Sequence, residues 1–164
     1  MNLLKKLRKK ELQLFADTDV VSPVNGEIIP ASEINDGVFA QEMMGQTIGI
    51  IPSDGTVVSP VNGTIVALYP TGHAFGIMGK NGNGYLIHIG INTSSMNGKG
   101  FKCFVQQGDE VAAGQKIIDV DLSQVKKEGH DTTIMIIVTD KAKDDYKIDF
   151  IAPTTVERAN KINK

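Results

Sequence analysis

Two histidines, His73 in PTGHAFGI and His88 in YLIHIGINT, sit on either side of one predicted turn. A neutral imidazole can serve as nucleophile, proton carrier or metal ligand near neutral pH. Between them MGKNGNG carries Asn81-Gly82, a dipeptide that favours a two-residue hairpin loop. Such a loop sets residue 73 opposite residue 90, with His88 diagonal to it, so both side chains fall on one sheet face. Opposed or diagonal Cβ atoms then lie about 5 to 8 Å apart. One phosphoryl group, metal ion or water fits between two such rings. A bulge would break this parity, and a pair of half-buried, hydrogen-bonding histidines fits the same spacing.

The neighbours add detail. Thr71 alternates with His73, so its hydroxyl can hold one ring nitrogen and set the tautomer. Gly90 follows His88 by two residues; a backbone carbonyl there can take the Nδ1 proton and leave Nε2 with a free lone pair. Leu86, Ile87, Ile89 and Ile91 surround His88 with apolar side chains, which keeps the ring uncharged. The zinc patterns HExxH and CxxC are absent from the chain, so no metal is predicted. The third histidine, His130, follows the charged KKEG stretch and reads as a solvated loop residue. Cys103, the single cysteine, has no partner for an internal disulfide and reads as a structural thiol on an alternating strand, FKCFV.

The elements that must position these groups are short runs rich in Val, Ile and Thr, broken by Gly, Pro and Asn. Strands are predicted at Gln46 to Ile51, Ala74 to Met78, Tyr85 to Ile91, Phe101 to Val105, Lys116 to Val120 and Thr132 to Thr139. Helical periodicity is scarce: one turn at Ser123 to Glu128 and a short terminal helix at Thr155 to Lys161. The predicted class is all-β, an antiparallel β-sandwich or partly closed barrel. VVSPVNG occurs twice, starting at Val20 and at Val57, an offset of 37 residues. Two copies are too few for a solenoid and suggest an internal duplication. In each copy Ser-Pro favours extended backbone and Asn-Gly a tight turn, so each reads as strand, hairpin turn and strand. By the same offset, the counterpart of His73 is Asp36, and the histidines are not duplicated.

At 164 residues, 41% hydrophobic and 22% charged, the chain suits one globular domain. We place it at residues 19–164, behind a basic tail at 1–18. Leu3, Leu4, Leu7 and Leu14 share a helical face among Lys5, Lys6, Arg8, Lys9 and Lys10, a pattern compatible with weak membrane-surface contact or with a frayed tail. A net charge of -2 and the absence of tryptophan argue against nucleic-acid binding. With no signal peptide or spanning apolar run, the expected location is the cytoplasm.

From about Val20 to Phe150 the order of elements is distinctive: GIIPSDGTVVSPVNGTIVALYPTGHAFGI, GYLIHIGINT, NGKGF, then VQQGDEVAAGQKI. It closely resembles the glucose-type IIA domain of the bacterial phosphoenolpyruvate-dependent sugar phosphotransferase system. The resemblance implies a phosphocarrier that takes a phosphoryl group from the phosphocarrier HPr and passes it to a cysteine of the IIB domain of a sugar permease, without a cofactor. It implies that His88 is the phosphoryl acceptor through Nε2, that His73 stabilises the phosphoryl group, that Thr71 orients His73 and that the Gly90 carbonyl orients His88. It further implies an apolar docking rim at Phe39, Met43, Met44, Tyr69 and Leu86. Asn92 stands where the family usually has an aspartate, which removes a rim charge and bears on partner affinity.

Two other readings use different residues. GDEVAAGQKI and Asp140-Lys141-Ala142 hint at a lipoyl or biotinyl carrier, but a long charged insertion separates them and Met-Lys-Met is absent. A non-catalytic regulatory module would use both histidines structurally or as metal ligands.

Overall fold

The computed structural model describes residues 14–164. Most of the basic segment considered for membrane contact, residues 1–13, lies outside the described residues. The strands are β1 (Gly26–Pro30), β2 (Gln46–Pro52), β3 (Thr56–Val58), β4 (Gly63–Leu68), β5 (Ala74–Gly79), β6 (Gly84–Ile89), β7 (Phe101–Cys103), β8 (Glu110–Val111), β9 (Lys116–Val120), β10 (Ile134–Asp140) and β11 (Thr155–Val156). They form an eight-stranded antiparallel sheet in the order β11-β1-β2-β10-β6-β5-β4-β8 and a three-stranded sheet, β3-β9-β7. Regular helix among the described residues is limited to short pieces, chiefly Gly37–Ala40 and Leu122–Lys127. The all-β expectation holds, with sheets that stay open rather than closing into a barrel.

Burial follows from alternation. Ile28, Ile50, Ile65, Phe75, Ile87 and Ile134 from the large sheet meet Val57, Ile117 and Ile118 from the small one in a single core. Each such side chain contributes about 1.5–3 kcal/mol when buried. Strand β10 is apolar at nearly every position because both its faces are covered. Ile134, Ile136 and Val138 enter the main core, while Met135 and Ile137 join Ile29, Ile34, Ala74, Leu86 and Ile91 on the opposite face. Phe39 and Ala40 pack onto that second cluster, and His88 stands directly opposite Met135.

The duplicated VVSPVNG segments are not hairpins. Val21 forms an isolated bridge with Lys161, β1 pairs with β2 and β11, and β3 and β4 belong to different sheets. The Ser-Pro steps turn the chain instead: buried Ser22 and Ser59 donate to the carbonyls of Val24 and Val61, each at 2.7 Å. The two copies also bond each other reciprocally, Val21 N to Pro60 O and Val58 N to Pro23 O, both 2.8 Å. At Gly26 and Gly63 a Cβ would lie 2.1 and 2.3 Å from the carbonyl oxygens of Ile51 and Met78. Those Asn-Gly glycines therefore serve close backbone approach rather than a two-residue turn.

Duplication extends through the whole large sheet, whose strand order reads as two mirrored halves meeting between β10 and β6. Gly26 pairs with Pro52 and Val156 as Gly63 pairs with Gly79 and Val111. Ile134 opposite Ile89 is likewise matched by Val138 opposite Tyr85. Because the connecting loops differ in length, the equivalence of β2 and β5 makes Gln46, not Asp36, the counterpart of His73. Gln46 makes two bonds to the Ile148 backbone, 2.7 and 2.8 Å. The duplicated half has an amide locked into scaffold where the other carries an imidazole.

The predicted terminal helix at 155–161 is absent. Thr155 and buried Val156 pair at the sheet edge with β1, and the chain then turns through Ala159 at φ +67°. That turn is the counterpart of the one at 112–115: Asn160 and Gln115 side chains cap the amides of Glu157 and Ala112. Cys103 is exposed on edge strand β7 rather than enclosed in the core. The predicted helical turn near 123–128 forms as Leu122–Lys127, capped by Asp121 accepting from the Gln124 amide.

Candidate functional site

The hairpin joining β5 and β6 differs from expectation in its register. Ala74 opposes His88 and Met78 opposes Gly84. The loop contains three residues, Lys80-Asn81-Gly82, closed by bonds from Gly79 N to Asn83 O and Gly82 N to Gly79 O. Gly82 takes φ +89°, the left-handed position of a three-residue loop, where a glycine is favoured as strongly as in the two-residue turn. Regular alternation in this register would put His73 and His88 on opposite faces. His73, however, precedes β5 in a bend that follows Gly72 at φ +70°. Strand alternation no longer governs its side chain, and its ring centroid lies 5.1 Å from that of His88, in an edge-on arrangement at 73°.

Each ring is held at Nδ1. His88 Nδ1–H donates to the Gly90 carbonyl at 2.7 Å, an acceptor that fixes the proton on Nδ1 and leaves the Nε2 lone pair unprotonated. Thr71 Oγ1 hydrogen-bonds His73 Nδ1. Burial pushes the His73 imidazole below its ordinary pKa. It does the same for His88; the Gly90 bond opposes the shift, nearby His73 adds to it, and Asp36 opposes it. Burial thus favours the neutral form of both rings.

The surroundings are aromatic and apolar. Phe39 lies 5.2 Å from the His88 ring and Tyr69 lies 5.4 Å from that of His73. Phe39 is delivered by the single helical turn Gly37–Ala40, capped by Asp36 accepting from the Val38 and Phe39 amides at 2.9 and 3.3 Å. Met43, Met44 and Tyr69 are 70%, 45% and 44% exposed. Leu86 is buried at 9% and supplies floor rather than rim. Val66 and Met78, missed in the sequence as outward strand positions, join Met44, Tyr69 and Leu86 around a shallow depression of about 230 Å³.

Asn92 is exposed and adopts φ +60° at the head of the turn Thr93–Met96, a left-handed conformation in which asparagine is enriched. His130 is not solvated alone: its Nε2 meets Ser95 Oγ at 3.3 Å. Gly72 and Asp36 also hold the geometry, and sequence reading passed over them as site residues. A glycine before the histidine and an aspartate immediately ahead of a short helical turn were the available signals. Among the described residues, no group of three or more His, Cys, Asp or Glu is arranged to hold a metal ion. No helix among them is long and apolar enough to cross a membrane.

Fold and site together define a two-histidine β-sandwich domain with an apolar margin. The family described as phosphoenolpyruvate-dependent sugar phosphotransferase system, EIIA 1, matches residues 18–144. A glucose-specific EIIA component of the phosphotransferase system (PTS) from Halalkalibacterium halodurans is 40% identical over 136 residues, 83% of this chain and 79% of that protein. A PTS glucose-specific EIICBA component from Staphylococcus saprophyticus is 38% identical over 147 residues, 90% of this chain; the chain spans only 22% of that longer relative. The glucose permease IIA structure from Mycoplasma capricolum superposes with a TM-score of 0.81 at 36% identity, covering 88% of this chain and 93% of that one. The chain belongs to the EIIA 1 family of the sugar phosphotransferase system.

Proposed function

We propose that the protein is a cytoplasmic phosphocarrier in which His88 Nε2 accepts a phosphoryl group from phosphorylated HPr and yields it to a cysteine of a sugar-permease IIB domain. The observation that carries this reading is the 2.7 Å bond from His88 Nδ1–H to the Gly90 carbonyl, which leaves the Nε2 lone pair unprotonated. The Nε2 lone pair attacks phosphorus as the N–P bond of the donor breaks and its electron pair returns to the donor ring. The His88 ring, still protonated at Nδ1, gains positive charge, and the Gly90 carbonyl stabilises it.

His73 acts on the transferred group. With its Nδ1 accepting from the Thr71 hydroxyl, Nε2–H is free to donate to an equatorial phosphoryl oxygen, where charge accumulates in the loose transition state. In the onward step an incoming thiolate forms the S–P bond and the electron pair of the breaking bond returns to Nε2. A group that must be taken up and surrendered to two partners in turn suits a site with an open margin, and Tyr69 beside the His73 ring is 44% exposed. The exposed methionines adapt to both.

Incubation with phosphoenolpyruvate, Enzyme I and HPr tests the proposal: acid-labile, base-stable phosphate appears on the wild type and is lost in His88→Ala. Label surviving that substitution removes the assignment. The lipoyl or biotinyl alternative loses ground because Lys141 follows β10 in a loop, and β10 pairs with β2 and β6 rather than with the next strand.

A further inference from the structure

The carbonyl that orients His88 belongs to a peptide unit with its own restraints. The Gly90 C=O and Ile91 N–H share one plane and point in opposite directions. Ile91 N–H donates to the Asp131 carbonyl at 3.0 Å, and Gly90 N–H donates to the Thr133 carbonyl at 2.9 Å. The receiving turn is locked in turn, since Asp131 Oδ1 accepts from both the Thr133 amide and hydroxyl at 2.8 and 2.7 Å. From the other side, fully buried Thr93 donates its hydroxyl to the Ile89 carbonyl at 2.5 Å. Its Cγ2 lies 2.5 Å from where a Gly90 Cβ would stand.

We infer that Thr93 and Asp131 are positioning residues that clamp the Gly90 peptide from two sides and thereby select the His88 tautomer with Nε2 unprotonated. Neither touches the imidazole. Thr93 works by its O–H bond to the strand-terminal carbonyl of Ile89. Asp131 works by rigidifying the turn whose carbonyl holds Ile91. The consequence for phosphoryl transfer rests on His88 being the acceptor; the tautomer selection does not.

Nitrogen-15 NMR of the histidine rings in the unphosphorylated protein reads this directly. Wild type should show His88 with the proton on Nδ1. Thr93→Val, matched in shape but lacking the hydroxyl, and Asp131→Ala should show mixed tautomers and accept phosphate from phospho-HPr about three- to tenfold more slowly, the effect of about one hydrogen bond. Thr93→Ser and Asp131→Asn keep the bonding oxygen and should restore both readouts. If Thr93→Val does not fold, the half-exposed Asp131 site carries the test. A single Nδ1–H tautomer together with the wild-type rate in the folded Val and Ala variants would overturn the clamp. Phosphate that fails to label His88 in wild type, with the tautomer shift intact, would remove the acceptor assignment and leave the clamp standing.

Discussion

Gly90→Ala is the sharpest perturbation of the acceptor site. Gly90 sits at φ +77°, and an added Cβ would lie 2.5 Å from Thr93 Cγ2 and 3.0 Å from the Asp131 carbonyl oxygen. The left-handed backbone alone costs alanine about 1–2 kcal/mol. The contacts cannot be relieved by one flexible tip, because one neighbour is backbone and the other a buried threonine. The loop must shift, and the Gly90 carbonyl moves away from His88 Nδ1. During transfer that bond is made to a ring gaining positive charge, and hydrogen bonds to charged groups contribute about 1.5–3 kcal/mol. The predicted loss in phosphorylation rate is roughly ten- to a hundredfold. Rapid-quench transfer from phospho-HPr measures it, and denaturant unfolding measures the accompanying loss of stability, which the contacts carry beyond the roughly 1–2 kcal/mol of the backbone term. A folded Gly90→Ala protein that accepts phosphate at the wild-type rate would refute the role given to the carbonyl.

Gly72→Ala should damage the other ring: at φ +70°, its Cβ would approach Phe101 Cβ to 3.0 Å and Cys103 Sγ to 3.3 Å. Labelling of His88 should persist while onward transfer to a IIB domain slows, and equal rates for both steps would count against His73 as the phosphoryl-stabilising group. Burial lowers the pKa of both histidines, so the unfolded chain binds more protons and stability, complete above about pH 6.5, falls as pH drops below it. His88→Gln should flatten that decline in urea titrations between pH 7 and 5; an unchanged slope rejects the neutral-ring account. Met43→Asp and Met44→Asp should weaken HPr binding about tenfold with little change in melting temperature, since both side chains are exposed; unchanged affinity would place the docking surface elsewhere. Ser22→Ala and Ser59→Ala should each cost about 1–3 kcal/mol while leaving the labelling rate intact, and a rate change without a stability change would contradict the scaffold role of the repeat.

The residues of the site were more legible than the path of the chain between them. His88 and Gly90 end one strand, so their local relation survives whatever the strand pairs with, and apolar neighbours signalled a neutral ring. The register was not legible because Asn-Gly suits both a two-residue loop and the left-handed position of a three-residue loop, and these give opposite parity. The two rings nevertheless meet, because His73 lies in the bend after Gly72 rather than within β5. In the VVSPVNG copies, local Ser-Pro and Asn-Gly preferences suggested hairpins, whereas buried serine hydroxyls and reciprocal bonds between the copies turn the chain, so that the second copy crosses from the small sheet to the large one and the first leads from an isolated bridge into β1. Val156 shows the same competition at the C-terminus: weak helical periodicity yields to burial against β1.

Fragment mass spectrometry and phosphorus-31 NMR on protein phosphorylated through phosphoenolpyruvate, Enzyme I and HPr test the central claim most directly. The account predicts one phosphoramidate, on Nε2 of His88. Phosphate on His73, on Nδ1 of His88 or on any other side chain would contradict it.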